Sequence, residues 1–288
     1  MKTFLKALVP QSAQDALRNA RQALLLRSLR AAVAEQDLDV WVARHAEVFP
    51  ELSRQYTDFV LDSDYLKYKV RAQQSFQVSL AAPVLAARRG ATVVDVGDSS
   101  GAHIAALKAL LPDGGHRFLS VNLDAQAVAR VQHRGLEALL CRAESLQEKG
   151  VHADVFLSFE TLEHLCDPAT FLHRLSKTPC QRLVLTVPYV STSRVGLHHL
   201  RAGLSKRVSP ETVHLFELCP EDLKLLARHC GWAVETERIY RQYPLHTPLR
   251  ATRAIWRAYD FEGFYGMVLY RDSAWSSLYT GWDDREMI

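Results

Sequence analysis

In Glu160-Thr161-Leu162-Glu163-His164 two carboxylates and an imidazole stand at i, i+3 and i+4, the spacing that puts side chains on one face of a helical turn. Further along, Val213-His214-Leu215-Phe216-Glu217 supplies a second imidazole. If Glu160, Glu163, His164 and His214 converge, two carboxylate and two imidazole donors suit magnesium, manganese, iron(II) or zinc and leave coordination positions for a substrate. Such a cation would lower the pKa of a bound hydroxyl and hold a pair of neighbouring hydroxyls in place. Without a metal, His164 becomes a general base positioned by the two glutamates, with Glu163 and His214 beside it. In a third reading the glutamates are solvated helix residues and His214 a turn residue. His198 and His199 are further candidates for the same pocket.

The elements that must position these groups begin with the apolar run Val155-Phe156-Leu157, which reads as a buried strand ending just before Glu160. Similar strands are expected at Thr92–Val96, Arg117–Asn122, Glu137–Cys141 and Arg182–Val187, with helices at Gly101–Leu111, Ala125–His133, Pro168–Ser176 and Pro220–Cys230 between and after them. Two later strands are expected, one from Gly231-Trp232 towards Tyr240 and one at Phe264–Tyr270. Alternation of this kind predicts an α/β fold with a doubly wound, mostly parallel, seven-stranded Rossmann-like sheet. Ligands of such sheets bind at the C-terminal ends of the strands. Residues 1–88 read instead as a helical extension or lid, with helices at Ala13–Ala34, Leu38–Val48 and Ser63–Ala87, followed by the catalytic domain over 89–288.

Val93-Val94-Asp95-Val96-Gly97-Asp98-Ser99-Ser100-Gly101 reads as a strand, a tight glycine turn and a helix N-terminus, which lets backbone approach a ligand closely. Here the chain resembles the class I S-adenosylmethionine-dependent methyltransferases, in particular their small-molecule branch. The resemblance runs in order through Asp154–Glu160, Leu162–Pro168 and Leu183–Pro188, covering about residues 90–235. It implies S-adenosyl-L-methionine as cofactor, with Asp95, Gly97, Ser99 and Gly101 at its methionine end. Asn122 stands where the family's ribose-binding acid usually does, with Asp124 two residues on; Arg142 takes the usual place of an acid near the adenine, leaving Glu144 as the candidate, and Glu160 closes the cofactor set. The E-x-x-E-H is similar to that of metal-dependent methyltransferases acting on the terminal ribose of small RNAs, which also place a histidine before a Phe-Glu pair, as His214-Leu215-Phe216-Glu217 does. Polyprenyl-catechol O-methyltransferases of quinone biosynthesis carry it too.

These implications lead to an O-methyltransferase acting on one hydroxyl of a vicinal diol, on a small molecule, sugar or surface glycan. Tyr68 and Arg71, on the helix entering the first strand, and Arg194, in the loop after the fifth, are the expected acceptor contacts, with Arg194 receiving an anionic group. The aromatic segment 260–266 with Trp275, Tyr279 and Trp282 would either stack on sugar rings or pack the core. RNA ribose methylation and a non-catalytic scaffold are the alternatives. A net charge of +3, with no basic stripe interleaved with aromatics, argues against nucleic acid. Five cysteines without a C-x-x-C pair read as reduced core residues, and no apolar run is long enough to span a bilayer, so a cytoplasmic location is expected. Lys2, Lys6, Arg18, Arg21, Arg27 and Arg30 with Leu24–Leu26 could touch the inner face of a membrane peripherally, or be the solvated side of a packed helix.

Overall fold

Three apolar runs lacking polar alternation form the most deeply buried strands: β1 (Thr92–Val96), β4 (Val155–Phe159) and β5 (Arg182–Pro188). Burial on both faces is what such runs require. A computed structural model describes residues 10–53, 55–57, 60–196, 213–259 and 261–282. Around these strands stand β2 (Arg117–Asn122), β3 (Ala138–Leu140), β8 (Trp232–Arg241) and β9 (Gly263–Arg271), in the order β3-β2-β1-β4-β5-β9-β8. All pairs from β3 to β5 are parallel, and β9 enters antiparallel between β5 and β8. The seven-stranded, mostly parallel sheet is therefore as the sequence predicts. A separate two-stranded ladder joins β6 (Arg194–Val195) to β7 (Phe216–Glu217).

The helices are α1 (Gln11–Glu35), α2 (Asp39–Val48), α3 (Asp64–Ala86), α4 (Ala102–Leu110), α5 (Ala125–His133), α6 (Pro168–Lys177), α7 (Pro220–His229) and α8 (Arg253–Tyr259). One face of the sheet packs Phe156, Leu183 and Leu185 against Leu172, Leu223 and Trp232. The other packs Val93, Leu157 and Val184 against Phe76, Leu80 and Leu85 of α3, so the N-terminal helices share a core with the sheet. That buried face of α3 also carries Gln74, Ser75, Gln77 and Ser79. In α1, Leu25 and Leu29 are buried against Tyr243 and Trp256, Leu24 and Leu26 are half-buried, and Arg21 and Arg30 lie over Tyr259 and Tyr68. The apolar side of this helix thus faces the protein, which is the packed-helix alternative; Lys2 and Lys6 lie outside the described residues. No helix among the described residues is long and apolar enough to cross a membrane.

Because β1 sends its chain toward β2 on one side and β4 lies on the other, the loops after β1 and β4 diverge at their C-terminal ends. A crevice opens at this reversal of strand order. The pentapeptide sits there, with one difference from expectation. Only Leu162–His164 form a turn, of the 3₁₀ type, and Glu160 precedes it in the left-handed region with φ 50°. The i, i+3, i+4 helical face does not form.

Candidate functional site

The crevice is a cavity of about 860 Å³, lined by the loops after β1, β2, β3 and β4, by α3, and by His214 and Phe261. At one end lies the glycine turn. Gly97 has φ 93°, and a Cβ there would overlap the Thr161 hydroxyl, which itself donates to the carbonyl of Val96 at 2.9 Å. Gly101, φ 78°, opens α4, and its N–H donates to Asp98 Oδ1 at 2.9 Å. Gly97 and Ser99 line the cavity, and Gly101 lies behind them. Asp95 is buried beneath, its Oδ2 3.0 Å from His103 Nδ1. Burial, then the neighbouring Asp95, pushes the Asp98 carboxyl up to about 7.

The ribose-side candidates are tied into the chain. Asn122 donates to the Asp98 carbonyl at 3.2 Å and accepts from the Asp124 N–H at 2.8 Å, joining the first two loops. Asp124 caps α5 by accepting from Gln126 N–H at 2.9 Å, and the Thr57 hydroxyl donates to its other oxygen. Arg130 bridges Thr57 to the carbonyl of Ser99. Arg142 and Glu144 both line the cavity as a 3.5 Å ion pair.

At the opposite end Glu163, His164 and His214 bring one ligand atom each within 4.8 Å of one another. Glu163 is 1% exposed, and among the described residues neither carboxylate oxygen has a hydrogen-bond partner. Burial, followed by the charges of Glu160 and Glu217, pushes its carboxyl well above the usual range. His164 Nδ1 donates to the Val213 carbonyl at 2.9 Å, while Nε2 lies 4.0 Å from Glu163. His214 Nδ1 lies 2.7 Å from Glu217 Oε1, and its ring stacks on Phe261 with centroids 5.2 Å apart. An acceptor on Nδ1 selects, in both imidazoles, the tautomer with the lone pair on Nε2, and that of His164 lies on the Glu163 side. A buried carboxylate without donors beside two such imidazoles is a donor set that a divalent cation fits. Glu160 stays outside this set; the Thr186 hydroxyl bonds to it, and burial pushes its carboxyl up to about 8.

Three expected acceptor contacts lie elsewhere. Arg194 pairs with Glu217 across the β6–β7 ladder and does not line the cavity. Although burial opposes it, bonds from His214 and Arg194 hold Glu217 below the usual carboxylate range, so Arg194 works on His214 from behind. Arg71 donates to the carbonyls of Phe49 and Pro50, and Tyr68 packs under Arg30. The face of α3 that meets the cavity carries Lys69, Gln73, Gln74 and Gln77, whereas Tyr68 and Arg71 do not line it. Phe261 and Phe264 reach the cavity, whereas Trp282 stacks on His173 at 3.9 Å beside Tyr279, away from it. His198 and His199 lie outside the described residues. Sequence reasoning missed His103, Gln77, Thr161 and Glu217 as site residues. Only Glu217 had a local signal, at i+3 from His214.

Residues 94–178 match the family model described as a methyltransferase domain. The [4+2]-cyclase SpnF aligns at 12% identity and a TM-score of 0.51, over 84% of this chain and 97% of that one. A putative sarcosine dimethylglycine methyltransferase from Galdieria sulphuraria aligns at 14% identity and a TM-score of 0.50, over 81% and 99%. A putative S-adenosylmethionine-dependent methyltransferase from Listeria monocytogenes aligns at 11% and 0.50, over 70% and 99%. This is the S-adenosylmethionine-dependent methyltransferase fold. No curated protein matches the sequence. The end of the cavity at the glycine turn after β1 is called the donor end, and the end at the loop after β4 the acceptor end, in keeping with the function proposed for the chain. A cyclase among the similar structures means that fold alone does not fix the reaction.

Proposed function

We propose that the chain is an S-adenosylmethionine-dependent O-methyltransferase that methylates one hydroxyl of a vicinal diol on a small molecule or sugar, assisted by a divalent cation. The observation that carries this reading is the carboxylate of Glu163, buried without a hydrogen bond among the described residues and grouped with His164 and His214. The cofactor would be held along Gly97 and Ser99, with the Arg142–Glu144 pair at the adenine end, and it supplies an electrophilic methyl group. A cation would be held by Glu163, His164 and His214 and would supply Lewis acidity toward the acceptor hydroxyl. Glu217 and Arg194 keep His214 in its working tautomer, and Val213 does so for His164. Lys69, Gln73 and Gln77 offer the acceptor polar contacts from α3, and Phe261 and Phe264 exclude water beside it. A cavity of about 860 Å³ shared between cofactor and acceptor favours a small acceptor over a polymer.

A second reading keeps the donor half and dispenses with the metal. The Val213 carbonyl leaves His164 Nε2 basic at 4.0 Å from Glu163, the arrangement of a general base beside a carboxylate. One assay separates the two: transfer of labelled methyl from S-adenosylmethionine to a panel of catechols and sugars, with and without a chelator. Turnover that disappears on chelation and returns with Mg²⁺ or Mn²⁺ supports the first reading. Undiminished turnover in chelator supports the second, and calorimetry showing no binding of S-adenosylmethionine at millimolar concentration sinks both.

A further inference from the structure

A continuous polar chain runs beneath the cavity from the donor end to the acceptor end. His103, at the start of α4, places Nδ1 3.0 Å from Asp95 Oδ2 and Nε2 2.9 Å from Gln77 Oε1. The amide nitrogen of Gln77 donates to the Thr186 hydroxyl at 3.1 Å, and that hydroxyl bonds to Glu160. Asp95, His103, Gln77 and Thr186 are all buried, and His103 and Gln77 form part of the cavity lining.

The polarity of the chain is set by Gln77, whose amide nitrogen donates to the Thr186 hydroxyl. Gln77 then turns its carbonyl oxygen to His103, which must donate through Nε2. The other ring nitrogen faces the carboxylate of Asp95, a second acceptor. An imidazole between two acceptors is complete only when both nitrogens carry protons. We infer that His103 is an imidazolium that acts as a positioning residue of the donor half, fixing Asp95 beneath the glycine turn and tying that turn, through Gln77 and Thr186, to the acceptor end of the cavity.

The surroundings agree. Asp98 Oδ1 lies 3.8 Å from His103 Nδ1, and the edge-on ring of Phe159 is 4.8 Å away by centroid. Burial opposes the charge, but Asp95, Asp98 and Glu160 outweigh it and raise His103 above the ordinary histidine range. From α2, His45 also faces His103; burial, then the like charge, pushes it down to about 3, so it stays neutral. Arg134 faces Asp98 from beyond α5. The positioning role rests on the reading of the glycine turn as a cofactor site; the charge of His103 does not.

The test is ¹⁵N-histidine NMR of the full chain between pH 5.5 and 9, paired with calorimetric titration of S-adenosylhomocysteine over the same range. His103 is expected to show two protonated nitrogens at pH 7. Gln77→Glu adds a second carboxylate and should raise its midpoint by about one unit, and Gln77→Leu, which removes the acceptor, should lower it by about as much. S-adenosylhomocysteine affinity should fall about tenfold through each midpoint and move with it. A purely structural role would change affinity or thermal stability without moving the midpoint. A His103 with one protonated nitrogen at pH 7, its partner proton residing on Asp95, overturns the inference. Binding whose pH profile ignores both substitutions overturns the positioning role alone. Failure of S-adenosylhomocysteine to bind at any pH removes that role together with the cofactor reading, and the NMR midpoints distinguish this case.

Discussion

The loop after β2 and the loop after β4 treat their polar groups in opposite ways. At the donor end Asn122 uses both sides of its amide on the chain itself, and Asp124 accepts from Thr57 and from the start of α5. At the acceptor end Glu163 has no donor on either oxygen among the described residues. Buried polar atoms normally find partners, so the loop after β2, already satisfied, is held in shape, while Glu163, like Asp95 Oδ1, Asp98 Oδ2 and Ser100 Oγ at the glycine turn, carries a cost that a bound ligand can offset.

The strongest test of this contrast is Glu163→Gln. Methyl transfer should fall about a thousandfold, while the thermal midpoint in chelator at pH 8 should rise, because a carboxyl whose charged form burial, Glu160 and Glu217 disfavour is replaced by a neutral amide. A variant both inactive and less stable would mean that Glu163 is structural. Gly97→Ala probes the other end: overlap with Thr161 and the strain of positive φ should weaken S-adenosylhomocysteine binding about a hundredfold by calorimetry, leaving divalent-cation binding in place. Arg194→Ala should lower metal-supported turnover by about 10- to 100-fold through the orientation of His214, with the acceptor KM unchanged. A raised KM with normal kcat would restore Arg194 as a substrate contact. Asn122→Asp places a carboxylate where the family resemblance leads one to expect it, yet it loses the donor to the Asp98 carbonyl, so cofactor affinity should drop about tenfold rather than improve.

The smallest effect is in pH. Glu160 and Asp98 have their carboxyls raised to about 8 and about 7, above their unfolded values. The folded state therefore holds protons that the unfolded state has released, and stability falls as pH rises through that window. In chelator the thermal midpoint should drop by roughly 5 °C between pH 6 and pH 8. A midpoint that rises over this interval would remove the unsatisfied charge from the acceptor end.

Much of the scaffold was legible because its causes are local. Val93-Val94, Val155-Phe156-Leu157 and Leu183-Val184-Leu185 are apolar without alternation, and each became a covered strand. The sequence places Glu163 and His164 at a strand end, and the family resemblance joins His214 to them from a distant loop; the three side chains do meet. What the sequence hid depends on contacts between distant residues. Arg194 and Glu217 meet only because β6 and β7 pair, and Gln77 reaches His103 only because α3 crosses the sheet there. The pentapeptide misled for a different reason. Its i, i+3, i+4 spacing suits a helix, but a chain leaving β4 must turn sharply first, and that turn falls on Glu160.

That turn has a consequence for anyone engineering the protein. Glutamate has no steric claim to a φ of 50°, a conformation that glycine and asparagine adopt with less strain. A screen for heat tolerance alone would replace Glu160 with glycine early, gain backbone ease, and cut the polar chain through Thr186 at its acceptor end. Hardiness and activity would then part company at a single residue.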